Sequence, residues 1–344
     1  LNEELSMRVF LTGGTGLIGR KIAQRLKARG DEPILLSRKS DEVRRIKAMR
    51  DYRIVQGDPT VEGDWYDLID GADAVINLAG HNLFENRWSS DIKHKIRDSR
   101  VHATEHVVKA IAQASNKPKV LVQASAIGFY GFTADEELTE SSPSGSDFMA
   151  RTCREWEAAA APVASQGVRL AKVRTGVVLA KGEGALGVMT PIFKFPGGAA
   201  PIGSGANAFL PAKGLQWMSW IHIDDIAGIF LLALDNANAT GAINGTSPNA
   251  ARNVDFSKAL AKVVKRPMLP IGPPDALLRI ILGEVSEVVA KGQKVLPSKA
   301  LELGYKFVYP NLVDALTQIF AKVKPEPEPA KAKAHGHEKA HAHH

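Results

Sequence analysis

Cysteine is almost absent, and the single thiol, Cys153, excludes an intramolecular disulfide and any metal centre built on a cysteine cluster. A chain that folds without covalent staples fits a reducing compartment. Long apolar runs are absent as well. The stretch 226–234 is interrupted by Gly228 and ends far short of the roughly 20 apolar residues a spanning helix needs, so no transmembrane segment is expected. The first residues, Leu1-Asn2-Glu3-Glu4-Leu5-Ser6, are short and acidic, unlike the basic-then-apolar order of a secretory signal. That points to the cytoplasm, or to a plastid stroma if the source is a photosynthetic eukaryote. Aromatic residues make up only 6% of the chain, and the basic excess behind its net charge of +7 is scattered, with no basic stripe interleaved by aromatics. Nucleic acid is therefore not an expected partner, and the charge suits an anionic cofactor or plain solubility.

What is present suffices for a full core: 44% of the 344 residues are hydrophobic, enough for one large domain and a smaller lobe. From Met7 onward, short β-branched runs alternate with longer amphipathic ones, the pattern of a parallel sheet covered by helices on both faces. Strands are predicted over 8–11, 33–36, 52–55, 74–78, 120–124 and 169–173, and helices over 17–29, 90–115 and 147–165. The predicted fold class is thus α/β, a doubly wound (Rossmann) sheet over 7–180. Beyond about residue 180, glycine, proline and aromatics dominate, which predicts a smaller α/β substrate lobe with long loops over 181–321. The final stretch, 322–344, holds five lysines and five histidines among Pro-Glu repeats and is expected to be disordered. Its histidines read as a solvated tail, so no metal site is expected.

Thr12-Gly13-Gly14-Thr15-Gly16-Leu17-Ile18-Gly19 follows the first strand and opens the first helix, the context in which a GxGxxG match carries weight. Its glycines allow a tight turn and close backbone approach to a pyrophosphate, whose charge then meets the free N–H groups of the helix. The end of the second strand selects the dinucleotide, because an acid there bonds the ribose 2′-hydroxyl whereas a base accepts a 2′-phosphate. This chain has Ser37-Arg38-Lys39 at that place, so NADP(H) is preferred over NAD. Asp58, ending the third strand, is placed at the adenine edge, and Leu78-Ala79-Gly80, ending the fourth, beside the pyrophosphate.

Beyond the turn, Asn77-Leu78-Ala79-Gly80, Ala124-Ser125-Ala126, Phe129-Tyr130-Gly131, the run from Trp220 to Asp225 and the run from Asn244 to Asn249 make the sequence resemble the extended short-chain dehydrogenase/reductase superfamily. Ser99-Arg100, Asp147-Phe148, Cys153-Arg154-Glu155-Trp156-Glu157, Arg174-Thr175-Gly176-Val177-Val178-Leu179, Leu296-Pro297 and Leu303-Gly304-Tyr305 narrow it to an epimerase-like subfamily. That subfamily carries a short C-terminal domain of unknown function, here about 266–318, and has plant members linked to chloroplast division. The resemblance spans residue 7 to about 320, and it implies that Arg100 reaches the cofactor or the substrate; Val177 is expected at the cofactor as well. It also implies a tyrosine general acid/base with a lysine four residues later to lower its pKa. That pair is missing: the residues four after Tyr52, Tyr66, Tyr130, Tyr305 and Tyr309 are Gln56, Asp70, Ala134, Tyr309 and Val313.

Ser125 is left as the catalytic candidate, able to polarise a substrate oxygen, with Tyr130 as a second candidate or a wall of the site. Cys153 reads as a structural thiol, His222 as a buried hydrogen-bonded histidine, Trp156 as core, and Trp88, Trp217, Met218 and Trp220 as pocket or core. The stretch 206–216 reads as an insertion beside the pocket. Two functions remain open: an NADP(H)-dependent oxidoreductase or epimerase on a small carbonyl, carbinol or nucleotide-sugar-like substrate, and a non-catalytic NADP(H)-binding regulator or scaffold. A homodimer is compatible with either.

Overall fold

A computed structural model describes residues 6–195, 198–203 and 209–321. The tail at 322–344 and part of the 206–216 stretch lie outside those residues. In chain order the strands are β1 (Arg8–Thr12), β2 (Glu32–Ser37), β3 (Arg53–Gln56), β4 (Ala74–Asn77), β5 (Val120–Ala126), β6 (Glu137–Leu138) and β7 (Arg169–Thr175). They continue as β8 (Val177–Ala180), β9 (Trp217–Met218), β10 (Trp220–His222), β11 (Gly241–Gly245), β12 (Ala251–Arg252) and β13 (Lys294–Val295). The helices are α1 (Leu17–Ala28), α2 (Ser40–Arg45), α3 (Ser90–Gln113), α4 (Phe148–Ala160), α5 (Gly184–Lys194) and α6 (Ile223–Asp235). After them come α7 (Asn253–Val263), α8 (Asp275–Leu282), α9 (Ser286–Ala290), α10 (Ser298–Glu302) and α11 (Leu312–Phe320).

Seven strands form one parallel sheet in the order β3-β2-β1-β4-β5-β7-β11. Side chains alternate across it with a period of two: Val9 and Leu11 enter one core with Ile22, Leu26 and Phe230, while Phe10 enters the other with Val75, Leu121 and Ile111. Helices cover both faces, which is why these strands read as nearly unbroken apolar runs.

Helix boundaries follow local chemistry. Asp147 Oδ1 accepts from the Ala150 N–H at 2.9 Å and so caps α4. The helix predicted over 147–165 instead ends at Ala160 and continues as a 3₁₀ turn, Ala161–Gln166, because Pro162 has no N–H to continue an α-helical ladder.

The C-terminal part is tied back onto the sheet. β13 pairs with β6, Asn244 Nδ2 donates to the Leu296 carbonyl, and Thr246 Oγ1 donates to that of Val295. Asp225, fully buried at the start of α6, accepts from the Val308 and Tyr309 N–H groups at 2.8 and 2.9 Å and from the Tyr305 hydroxyl at 3.1 Å. A separate apolar cluster joins β8, α5, α7 and α11 through Leu179, Leu186, Phe256, Leu260 and Leu316.

Candidate cofactor cleft and buried polar site

The strand order reverses between β1 and β4, and there the carboxyl ends of the strands open into a crevice. A cleft of about 1130 Å3 at this place is lined by Gly13, Thr15, Gly16, Ser37, Arg38, Lys39, Asp58, Leu78, Ala79 and Gly80, among others. They are the phosphate turn, the base-bearing strand end and the neighbouring strand ends expected from the sequence.

The turn is steric in origin. Gly13 has φ +63°, and a Cβ there would lie 2.7 Å from the Leu78 carbonyl carbon and oxygen. At Gly19 a Cβ would meet the Gly13 carbonyl at 2.4 Å, so only glycine lets α1 start against its own turn. Gly16 is the N-cap of α1 in extended conformation, with no side-chain cap and no acid in the first turn. The first helical amides are thereby left for an external anion. Leu17, Ile18 and Gly19 stand behind this surface: Ile18 packs on the core and Gly19 is buried.

A buried polar knot locks the neighbouring strand end. Thr12 Oγ1 donates to Asn77 Oδ1 at 2.5 Å and accepts from the Leu78 and Ala79 N–H groups at 3.2 Å. Asn77 Nδ2 donates to Thr104 and Gln123, each at 2.9 Å. Sequence reasoning gave Thr12, Thr104 and Gln123 no role. Their one signal was a polar side chain inside otherwise apolar buried segments.

Ser37 is buried and its Oγ accepts from the Lys39 N–H. Lys39 Nζ pairs with Glu42 at 3.2 Å, and Asp58 Oδ1 accepts from the Thr60 N–H and hydroxyl. Arg38 is exposed, and among the described residues its guanidinium has no side-chain partner. Arg100 does not line the cleft itself but lies against its floor, where a Cβ on Gly80 would sit 3.0 Å from the guanidinium carbon. It donates to the Ile96 carbonyl at 2.8 Å and lies 5.2 Å from the Trp156 ring centroid. Burial pulls its pKa down to about 10, with no carboxylate beside it to oppose the shift. Val177 is elsewhere: it begins β8, opposite Trp220 of β10, and does not line the cleft.

Further along the sheet edge, Ser125 belongs to a closed network. Its hydroxyl donates to Glu157 Oε1 at 2.8 Å; Glu157 takes Arg174 Nε at 2.7 Å and Nη2 at 3.0 Å, with Lys172 Nζ at 3.1 Å. Arg174 Nη1 donates to the Tyr130 hydroxyl at 2.9 Å, and that hydroxyl donates to Asn244 Oδ1 at 2.7 Å. Burial pushes the Glu157 carboxyl up, but the hydrogen bonds and charge of Arg174, with Lys172, outweigh it and hold the group below its usual value. Burial likewise raises Tyr130, and here the opposing Arg174 does not prevail. Buried Cys153 is pushed up to about 12, so its thiol stays protonated and inert at neutral pH. Cys153 and Glu157 stand four residues apart on α4, the spacing at which the superfamily pairs tyrosine with lysine. That spacing was the legible sign of Glu157, which sequence reasoning left without a role.

His222 is not placed as a base. Its Nδ1 accepts from the Asp224 N–H at 3.0 Å, so Nε2 carries the proton and donates to Gln318 Oε1 at 3.0 Å, with the ring 4.1 Å from that of Tyr309. Trp156 and Trp220 are core; Trp217 Nε1 donates to Asp135, and Trp88 packs edge-on to Phe148. Among the described residues no cluster of histidine, cysteine or carboxylate side chains is arranged to hold a metal, and no helix is long and apolar enough to cross a membrane.

A doubly wound parallel sheet with a glycine turn at its switch point defines a dinucleotide-binding class of protein. Within that class the chain belongs to the NAD dependent epimerase/dehydratase family, whose profile matches residues 9–244, while a domain of unknown function, DUF1731, matches 273–319. It is 42% identical over 322 residues to the chloroplastic epimerase family protein SDR39U1 homolog of Arabidopsis thaliana, covering 92% of this chain and 88% of that one. It is 36% identical to epimerase family protein YfhF of Bacillus subtilis over 92% of this chain and 99% of that one. Among solved structures, human epimerase family protein SDR39U1 with NADPH superposes with a TM-score of 0.78 at 33% identity, covering 91% of this chain and 99% of that one.

Proposed function

We propose that this chain is an NADP(H)-dependent enzyme that acts on the carbonyl or carbinol carbon of a small, nucleotide-sugar-like molecule, its nucleotide domain spanning 7–180 and its substrate lobe 181–321. The observation that carries the reading is Arg38: an exposed guanidinium without an internal partner at the end of β2, where a 2′-phosphate would meet it, in a cleft whose other end is the uncapped start of α1. That the human relative was solved with NADPH supports the same choice. Gly13, Thr15 and Gly16 would hold the pyrophosphate, Ser37 and Arg38 the 2′-phosphate, and Asp58 the adenine edge. The bound nicotinamide supplies or takes up hydride. Ser125 would then stand beside the reacting oxygen. Its hydrogen already bonds Glu157, so it presents lone pairs to a substrate hydroxyl. The compartment that fits is an aqueous one, cytoplasm or plastid stroma.

Titration with NADPH and NADH, followed by nicotinamide fluorescence and melting temperature together, tests the cofactor. NADPH is expected to bind selectively, and Arg38→Ala to weaken it by about 1.5–3 kcal/mol, the worth of a charged hydrogen bond, while sparing NADH. Equal losses for both nucleotides would sink the assignment. A panel of carbinols with NADP+ and of carbonyls with NADPH, with Ser125→Ala as control, then tests the chemistry, the variant losing carbinol turnover but keeping NADPH. Selective binding with no turnover on any carbinol or carbonyl would instead support the non-catalytic NADP(H)-responsive scaffold, a reading favoured by the internal commitment of the Ser125 and Tyr130 hydrogens.

A further inference from the structure

Five histidines lie outside the 322–344 stretch, and three of them line one cleft. His81 follows Gly80 beyond the end of β4. His94 and His102 belong to α3, where they share one helical face with Asp91, Lys95 and Asp98 at spacings of three, four and seven residues. The other two histidines are occupied: His106 bonds the Tyr66 hydroxyl at 2.6 Å, and His222 is held by Asp224 and Gln318. Among the described residues the side chains of His81, His94 and His102 make no hydrogen bond. The Nε2 atom of His81 is shut from solvent, 3.6 Å from Glu85 Oε2.

The fixed charges of this cleft do not suit a polyanion. Its lining sets Arg38, Lys39 and Lys95 against Glu42, Asp58, Asp91 and Asp98, three bases against four acids. Lys39 is spent on Glu42, and Asp98 is paired with Arg97 at 2.7 Å. Behind the lining, Arg20 is paired with Glu183, Arg100 lies beneath Gly80, and Glu105 and His106 follow His102 by one turn of α3. NADP(H) brings a pyrophosphate and a 2′-phosphate, the latter alone worth about −1.5 to −2 charges at pH 7. With neutral histidines the lining is one charge negative; with all three protonated it is two charges positive. Histidine is the side chain that ordinarily changes charge between pH 5 and 8. Linkage is reciprocal: a site that takes up protons when an anion binds also binds the anion more tightly where protons are plentiful.

We propose that His81, His94 and His102 form a proton-operated wall of the NADP(H) site, each taking up a proton against the phosphates of the cofactor, so that affinity rises as pH falls from 8 to 6. The inference rests on the cofactor reading given above. A site built in this way tightens on NADP(H) when its surroundings acidify and releases it when they turn alkaline.

Isothermal titration of the full chain with NADPH at pH 8, 7 and 6 tests this, each pH in two buffers of different ionisation enthalpy so that proton uptake is counted directly. The comparison is with the combined variant His81→Gln, His94→Gln, His102→Gln. The ratio of Kd at pH 8 to Kd at pH 6 is expected to be about tenfold larger in the wild type, with a proton uptake that the variant lacks. The 2′-phosphate, which itself titrates near pH 6, is common to both proteins and drops out of their difference. So do the histidines of the 322–344 stretch, which both retain. Melting temperatures confirm that the variant folds. No NADPH binding at any pH overturns the cofactor reading and this inference together. Binding with the same Kd ratio in both proteins overturns this inference alone. So does a variant weakened by one constant factor at every pH, which would make the three rings neutral contacts.

Discussion

Ser125, Tyr130 and Cys153 each carry a hydroxyl or thiol proton, and each is held back: Ser125 donates to Glu157, Tyr130 donates to Asn244 with its pKa raised, and the Cys153 thiol does not ionise at neutral pH. Glu157 organises the arrangement. Its side chain and that of Arg174 are each 5% exposed, so removing one charge strands the other away from water. Glu157→Gln is expected to cost about 3–5 kcal/mol of stability, the usual result of breaking a buried pair from one side. Chemical denaturation midpoints measure this directly; an unshifted midpoint would mean that Arg174 finds water or another acceptor. Ser125 and Tyr130 were legible as polar residues at a strand end. The ion pair that links them was not, because Glu157 and Arg174 lie 17 residues apart and meet only when β7 pairs with β5 beneath α4.

At the scale of elements, the turn from β1 into α1 was the most legible part of the molecule, since each of its glycines answers a local steric demand that sequence spacing reveals. Gly19→Ala should abolish NADPH binding, by about a hundredfold or more, because a Cβ 2.4 Å from the Gly13 carbonyl forces the turn apart. Isothermal titration would register it, and retention of wild-type affinity would show that the turn tolerates widening. The seal of α6 against the C-terminal segment was hidden, because His222 and Gln318 are 96 residues apart in sequence. Burial lowers the His222 pKa below its ordinary 6.5. The unfolded chain therefore takes up its proton at a higher pH than the folded one. The stabilisation is whole above about 6.5 and is lost as pH falls through the lower, folded value. Melting temperature should fall on acidification across that window, and His222→Gln should flatten that part of the slope. A variant with the same slope would assign the acid sensitivity to other groups.

For the molecule as a whole, the alternation of strands and helices announced the parallel sheet covered on both faces. The tie between the two halves of the chain has a consequence for biosynthesis. Asp225 is fully buried, yet the three groups that satisfy it come from Tyr305, Val308 and Tyr309, and Asn244, at the edge of the sheet, waits for Leu296. While a ribosome is still making those later residues, the chain already emerged lacks the partners of Asp225 and leaves the β11 edge of the sheet unfinished. The closure around Asp225 therefore lags its synthesis by at least 80 residues, an interval in which the open sheet edge is exposed to aggregation.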